Sequence, residues 1–308
     1  MIVLEQMDIA GPRAGFFYVS KKTLITQIWK CADTKSNYFA LGGCMKKLLV
    51  LVSALLYSIG AHSYESLQEI QTTRGESLKY LFLEGQGDVL ANVILFPGGH
   101  GRIKASEDGP RGLNGNFLIR TRGQMAAHGF NVISVDAPSD KQQSGKLGGM
   151  FQSGFRRSNE HASDIKDLIK KIKEENSLPI WLVGTSRGTE SVTNFAVRNS
   201  DQIQGIVLTS SIVESNRMGW GLAEYDLEEI TVPTLFVHHE KDGCDKTQAS
   251  GIPRIAKKLS NAPLVEVKIV TGGKKGKPKK VCGGKSHHGY LGVEDNVVGI
   301  MASFIKEH

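Results

Sequence analysis

The sequence IWLVGTSRG occupies residues 180–188 and joins a run of large apolar residues to a G-x-S-x-G pentapeptide. The apolar run is typical of a buried strand, and the glycines allow a sharp turn into a helix. Such a turn lifts the Ser186 hydroxyl clear of the backbone, where a base can take its proton. Because the chain has 35 glycines in 308 residues, chance could supply the pentapeptide, so its meaning depends on its surroundings.

The residues after the pentapeptide continue the pattern of an α/β unit. Residues 189–197 place apolar side chains at helical spacing, and GIVLT at 205–209 is rich in the β-branched residues of a strand. Strand, glycine turn, helix and strand form a βαβ unit, which implies a parallel sheet. The competing interpretation is a structural turn in which the Ser186 hydroxyl only caps the helix.

The first 63 residues differ in character from the rest of the chain. Residues 45–63 combine a basic start (MKK), a ten-residue apolar core at 48–57 and an Ala-His-Ser exit, the pattern of a secretory signal peptide. We therefore expect residues 1–44 to be a non-native upstream extension, translated from a wrongly chosen start, and residues 64–308 to be a periplasmic or secreted domain. The alternatives are a genuine N-terminal extension or a single membrane anchor at 48–57, although this core is short for an anchor.

Removal of residues 1–63 changes the charge of the chain. They hold seven Lys or Arg and three Asp or Glu, so the formal charge falls from +7 to +3. A chain of about 245 residues with this charge can form one α/β core and gives no reason to expect a nucleic-acid partner. We interpret the remaining basic segment, KKGKPKK at 274–280, as a solvated loop. The alternative is a positive surface that attracts anionic substrates or holds the protein near an anionic surface.

Strand and helix patterns alternate through the proposed domain. Strands are predicted at 78–83, 93–96, 132–136, 179–183, 206–209, 234–238 and 264–269, and further helices at 117–128, 160–175 and 296–305. This order predicts a single α/β domain with a doubly wound, mostly parallel sheet and helices on both faces. Such sheets bind ligands beyond the carboxyl ends of their strands.

Residues able to complete a catalytic triad follow two of these strands. The strand at 234–238 runs into HEKDGCD, and the strand at 264–269 leads to SHHGY at 286–290. A serine nucleophile needs a histidine that takes its proton and an acid that orients the histidine. Taken in chain order, the candidates are Ser186, Asp242 and His288, with Asp245 and His287 as alternatives.

The chain resembles the α/β-hydrolase superfamily over residues 66–308. The pentapeptide and the order Ser, Asp, His carry this resemblance. The resemblance favours Asp242 over Asp245 because Asp242 lies three residues after the position where the family commonly has glycine. It favours His288 over His287 because glycine and an aromatic residue follow His288, as they do in the family.

The segment LFPGGHG at 95–101 is similar to the oxyanion loop of that superfamily. Pro97-Gly98 stands where the family usually has His-Gly, but backbone N–H groups perform the task, so the change is tolerable. The resemblance implies that the N–H groups of Gly99 and Arg187 form the oxyanion hole.

Cys244 and Cys282 are the two cysteines of the proposed mature chain. In an oxidising compartment they are natural disulfide partners. A bridge would join the loop of Asp242 to the loop of His288, and we expect it to make the triad more rigid. No cofactor or metal is expected, because C-x-x-C and H-x-x-x-H spacings, a dinucleotide fingerprint and a P-loop are all absent from the sequence.

The resemblance implies a carboxylesterase-like serine hydrolase that cleaves carboxylic esters, or thioesters, through an acyl-enzyme. The connection at 210–232 is too short for a large cap domain, so we expect an open site and a small-molecule ester substrate. Neither nucleic acid nor a stable membrane span is part of this hypothesis. The alternative is a non-catalytic ligand-binding module on the same fold at the cell envelope.

Overall fold

A computed structural model describes residues 65–143, 148–216 and 219–308, without the side chains of residues 152 and 153. The predicted upstream extension and signal peptide lie outside the described residues. In the part of the chain that is described, no helix is both long and apolar enough to cross a membrane.

The described residues form an eight-stranded sheet and a small separate hairpin. The strands are β1 (Glu65–Gln71), β2 (Ser77–Leu83), β3 (Ala91–Phe96), β4 (Ala105–Ser106), β5 (Gly109–Pro110), β6 (Phe130–Val135), β7 (Ile180–Thr185), β8 (Gly205–Thr209), β9 (Thr234–His239) and β10 (Val265–Val270). The sheet order is β1-β2-β6-β3-β7-β8-β9-β10, and β4 pairs only with β5. Strand β2 is antiparallel to both its neighbours, β1 and β6. The six remaining strands, in sheet order β6, β3, β7, β8, β9 and β10, are parallel to one another. The prediction of a mostly parallel sheet is confirmed.

Helices cover both faces of the sheet. They are α1 (Phe117–Ala127), α2 (Asn159–Glu175), α3 (Gly188–Asn199), α4 (Ile252–Ala256) and α5 (Glu294–Glu307). The apolar sides of α2, α3 and α4 belong to one buried cluster, and those of α1 and α5 belong to the other. Along β7, Ile180 and Leu182 contribute to the first cluster while Trp181 and Val183 contribute to the second. A strand covered on both sides needs apolar residues throughout, which explains the unbroken run before the pentapeptide.

Strand β1 was not predicted from the sequence. It is an edge strand with the sequence ESLQEIQ, and Ile70 is its one buried residue. Its side chains are mostly polar and at least partly exposed, so the pattern carries little apolar alternation. The Glu65 carboxylate of β1 pairs with Arg122 on α1, a contact between residues 57 positions apart.

The described part of the connection from β8 to β9 carries only short secondary-structure elements. Between β8 and β9, the described residues 210–216 and 219–233 contain two three-residue 3-10 turns, Leu222–Glu224 and Leu227–Glu229. No large cap domain is formed by these described residues. The lysines of segment 274–280 are exposed, as expected for a solvated loop.

Candidate active site

Ser186 lies at the turn between β7 and α3 and is partly exposed. Its φ of +52° falls in the left-handed region that non-glycine residues rarely adopt. A Cβ atom at Gly188 would lie 1.9 Å from the Phe96 carbonyl oxygen, and one at Gly184 would lie 2.7 Å from the Gly188 carbonyl oxygen. Both glycines are therefore needed for β3, β7 and α3 to approach closely. This is the strand, turn and helix arrangement that the pentapeptide predicts.

Asp242 and His288 form a buried hydrogen-bonded pair. Asp242 Oδ2 lies 2.9 Å from His288 Nδ1, and the side chains are 0% and 5% exposed. Asp242 Oδ1 accepts the Cys244 N–H at 2.9 Å, and Oδ2 also accepts the Thr247 hydroxyl at 2.7 Å. Thr247 Oγ1 also lies 3.1 Å from His288 Nδ1. Because an ionised carboxylate only accepts hydrogen bonds, the proton between Asp242 and His288 belongs to Nδ1. In the neutral ring, Nε2 is then the unprotonated nitrogen and can act as a base.

The two rivals identified in the sequence have other partners. The Asp245 side chain is 76% exposed and pairs with Lys246. His287 Nδ1 lies 3.1 Å from the Lys241 carbonyl oxygen, and its ring stacks on His239 with centroids 4.3 Å apart. Within the described residues, neither rival takes part in an acid–histidine pair.

Ser186 and His288 are both attached to the end of β8. The Ser186 N–H donates to the Thr209 carbonyl at 2.9 Å, and the Ser210 hydroxyl donates to the His288 carbonyl at 2.7 Å. Among the described residues, no direct hydrogen bond joins Ser186 Oγ to the His288 ring. Such contacts are often long in enzymes without substrate and shorten when substrate binds.

Tyr290 holds the histidine turn against the sheet. Its hydroxyl donates to the Val237 carbonyl at 2.6 Å and accepts the Ser210 N–H at 2.9 Å. The phenol is fully buried, and its ring packs on Phe117 with centroids 4.7 Å apart. The carboxyl ends of β8 and β9 are thereby joined to the residue two positions after His288.

The predicted oxyanion donors lie on two elements that meet at the serine. Gly99 has a φ of +60°, and Arg187 is the N-cap residue of α3, so its N–H is one of the free donors of a helix start. Neither N–H has an acceptor among the residues that the structure describes. A Cβ atom at Gly98 would lie 2.9 Å from Ser186 Cβ, which shows how closely the glycine loop approaches the serine.

Cys244 and Cys282 form a disulfide between residues 38 positions apart. The bridge joins the loop of Asp242 to the segment before His288, as expected from the sequence. Asp245 lies close to both sulfur atoms, but bonded sulfurs offer no thiolate to a metal ion. The disulfide therefore connects the two loops that carry the acid and the histidine.

Loss of this disulfide is expected to destabilise the protein. Closing a loop of 38 residues contributes about 4 kcal/mol in the chain-entropy description, which corresponds to roughly 10 °C in Tm for a domain of this size. We expect a fall of that order in the Cys244→Ser/Cys282→Ser double variant, measured by circular dichroism. A phosphine reductant should lower the Tm of the wild type and leave that of the double variant unchanged. Equal Tm values for the two proteins without reductant would contradict this role.

His238 is a buried histidine near the end of β9, the strand that leads directly into the Asp242 loop. Its Nε2 accepts the Ser211 N–H at 3.0 Å, so the ring is neutral with its proton on Nδ1. Burial lowers the pKa of His238 to about 4. The acid loop therefore packs against a histidine that the folded protein keeps uncharged.

The stability of the protein is expected to fall on acidification through His238. The unfolded state takes up a proton near pH 6.5 whereas the folded state excludes it until about pH 4, so stability is lost as the pH falls between these values. The expected loss is about 3 kcal/mol. Urea unfolding of the wild type and of His238→Gln between pH 8 and pH 4 tests this, because glutamine keeps an acceptor but cannot take up the proton. Comparison at pH 8 isolates any packing defect, and two parallel pH curves would rule out His238 as a source of the acid sensitivity.

Three contributors to this site were not found from the sequence: Thr247, Ser210 and Arg156. Ser210 directly follows a strand at the functional edge of the sheet, so its position was a usable signal. Thr247 and Arg156 lie in segments with no motif or periodicity. Arg156 donates hydrogen bonds to the carbonyls of Pro97 and Gly99 in the glycine loop.

Comparison with known families agrees with the geometry. The family model described as serine aminopeptidase, S33, matches residues 117–272, just over half of the chain. The chain belongs to this family. The family places it in the α/β-hydrolase superfamily and makes it a hydrolase. A search of curated protein sequences found no match.

Solved structures share the fold at low sequence identity. A monoglyceride lipase of Saccharomyces cerevisiae has a TM-score of 0.57 at 13% identity, over 80% of this chain and 96% of the lipase chain. An esterase of Pyrococcus furiosus has a TM-score of 0.55 at 15% identity, over 80% of this chain and 93% of its own. A serine hydrolase without a lid from Xanthomonas campestris has a TM-score of 0.53 at 12% identity, over 79% and 94%. These likenesses confirm the fold.

Proposed function

We propose that this hydrolase cleaves carboxylic esters of small molecules by serine catalysis. Ser186 is the nucleophile, His288 the general base and acid, and Asp242 the residue that orients His288. The observation that carries the proposal is the buried Asp242–His288 hydrogen bond, at the same sheet edge as a strained serine between two glycines.

The reaction proceeds in two halves on these side chains. Ser186 Oγ attacks the ester carbonyl carbon while its proton passes to His288 Nε2, and the negative oxygen is held by the N–H groups of Gly99 and Arg187. Collapse of this intermediate breaks the bond to the alcohol, which takes the proton from His288 and leaves an acyl-enzyme. Water then repeats the attack, again through His288, and releases the acid. Asp242 stabilises the imidazolium form of His288 in both halves without itself taking the proton.

Esters are proposed ahead of thioesters and amides. Several proteins with similar structures are named esterases or lipases, whereas the family description names an aminopeptidase. The same catalytic groups serve all three bonds. A panel of p-nitrophenyl esters of increasing acyl length, one acyl thioester and one aminoacyl p-nitroanilide separates these classes, and we expect the highest kcat/KM for an ester.

Covalent labelling tests whether the protein is a serine hydrolase at all. A fluorophosphonate should modify the folded protein at Ser186, identified by peptide mass spectrometry, and abolish ester hydrolysis in proportion to labelling. Folded protein that resists the reagent and cleaves no member of the panel would instead be a non-catalytic binding module on this fold.

We also propose that the protein works in the periplasm or outside the cell. The disulfide supports this because such bonds persist in oxidising compartments, and residues 45–63 have the composition of a signal peptide. Expression from Met45 in a Gram-negative host should yield an exported product that starts near Tyr64. An uncleaved product that stays in the cytoplasm would contradict this location.

A further inference from the structure

Arg156 lies in the 3-10 segment Gly149–Arg157 and is 3% exposed. One terminal nitrogen, Nη2, donates to the Pro97 carbonyl at 3.0 Å and to the Gly99 carbonyl at 3.2 Å. The other, Nη1, donates to the Ser191 hydroxyl at 2.7 Å. One side chain therefore binds both the glycine loop after β3 and the helix α3 that follows Ser186.

These two elements carry the two proposed oxyanion donors. Gly99 belongs to the loop, and Arg187 is the first residue before α3. Their N–H groups act together only if the loop and the helix keep a fixed separation, because an oxyanion hole needs both donors about 3 Å from one oxygen atom. The guanidinium group of Arg156 sets this separation from the buried side, where its planar fork of donors suits two carbonyls and one hydroxyl.

The charge of Arg156 is not neutralised by a carboxylate. In the described part of the chain, no acidic side chain lies within ion-pair distance of Arg156, and the nearby Glu190 pairs instead with Arg187. Burial lowers the pKa of Arg156 to about 10, so the group still carries its proton at neutral pH. Arg156, Arg187 and Glu190 together leave one net positive charge buried beneath the glycine loop.

A buried charge without a partner is costly, and a purely structural brace would not need one. A positive charge at this position is favourable, however, when negative charge develops on the substrate oxygen, since a buried charge is screened less than one in water. The unfavourable free energy of burying this charge is present in the resting protein. The attraction between the charge and the oxyanion offsets it only in the transition state.

We propose that Arg156 is the positioning residue of the oxyanion hole, which holds the Gly99 loop and helix α3 at a fixed separation and places a positive charge behind them. This inference rests on the proposed serine hydrolase function. Its consequence is that removal of Arg156 lowers kcat much more than it changes KM, because the interaction strengthens only as the oxyanion forms.

Three variants test this role. Arg156→Met removes the charge and the donors, Arg156→Lys keeps the charge but loses the fork, and Ser191→Ala removes only the contact to α3. The matched control is Arg122→Met, since Arg122 is a half-buried arginine bonded to the Ile119 carbonyl and to Glu65. Each variant is measured for kcat and KM on a p-nitrophenyl ester, for inhibition by a trifluoromethyl ketone and for Tm. The ketone is informative because it forms a negatively charged tetrahedral adduct with the serine.

For Arg156→Met we expect kcat to fall by roughly 10- to 100-fold with KM within about threefold of wild type, a smaller loss than removal of an oxyanion donor itself because Arg156 acts through the donors. The inhibition constant of the ketone should rise by a similar factor. Arg156→Lys should recover part of kcat, and Ser191→Ala should lower kcat only a few-fold. Arg122→Met should keep wild-type kcat whatever its Tm.

Several outcomes would overturn the inference. One is a folded Arg156→Met variant with kcat and ketone affinity within twofold of wild type, and another is an equal loss of kcat in Arg122→Met. If Arg156→Met does not fold, the Arg156→Lys variant provides the test, because its kcat should fall below that of wild type while its Tm is unchanged. Wild-type protein that neither hydrolyses esters nor reacts with a fluorophosphonate would refute the proposed function and this inference together, whereas active wild type with unaffected variants refutes the inference alone.

Discussion

Replacement of Ser186 by alanine is expected to lower kcat for p-nitrophenyl ester hydrolysis by about 10⁴- to 10⁶-fold, as in serine hydrolases that lose their nucleophile. The remaining rate would come from binding and from the oxyanion hole acting on water. Alanine keeps a Cβ atom at the same backbone position, with φ of +52°, so the fold and its Tm should be unchanged. Steady-state kinetics, fluorophosphonate labelling and circular dichroism together measure these effects.

The matched control for this experiment is Ser163→Ala. The Ser163 hydroxyl lies on α2, 3.1 Å from the Thr73 hydroxyl, and no step of the proposed reaction uses it. This variant should keep wild-type kcat and full labelling. A Ser186→Ala protein with more than a tenth of wild-type activity would show that another group is the nucleophile.

Replacement of Asp242 by asparagine is expected to lower kcat by about 10³- to 10⁴-fold. The amide has one oxygen, and the Cys244 N–H at Oδ1 requires an acceptor. The NH₂ group must then take the place of Oδ2, where it faces His288 Nδ1. His288 would have to accept at Nδ1 and carry its proton on Nε2, so that it could no longer take the serine proton.

The effect of Asp242→Asn is separable from simple damage to the loop. Asp245→Asn is the matched control, because Asp245 is an exposed aspartate three positions away that pairs with Lys246, and we expect its kcat to be unchanged. Thr247→Val removes only the hydroxyl that donates to Asp242 and should cost about tenfold, in line with one hydrogen bond to a charged group. A larger loss in Asp245→Asn than in Asp242→Asn would identify Asp245 as the acid.

The architecture was predictable because it depends on patterns that are local in the chain. Segments such as 180–183 and 206–208 are apolar throughout, since a central parallel strand is covered on both faces, and the helices between them show a single apolar side. The same reasoning failed for β1, whose ESLQEIQ sequence faces solvent at the sheet edge. Its place depends on pairing with β2 and on the Arg122–Glu65 contact, which no local pattern reports.

The sequence by itself determined the fold class, the turn that strains Ser186, and the strand ends where an acid and a histidine could stand. Only a family resemblance ranked Asp242 ahead of Asp245 and His288 ahead of His287, because neighbours in a loop differ in direction rather than in local pattern. Only the tertiary structure paired Asp242 with His288 and brought Arg156 beneath the glycine loop. Side-chain direction in an irregular loop is decided by contacts between distant segments, and those contacts exist only once the chain has folded.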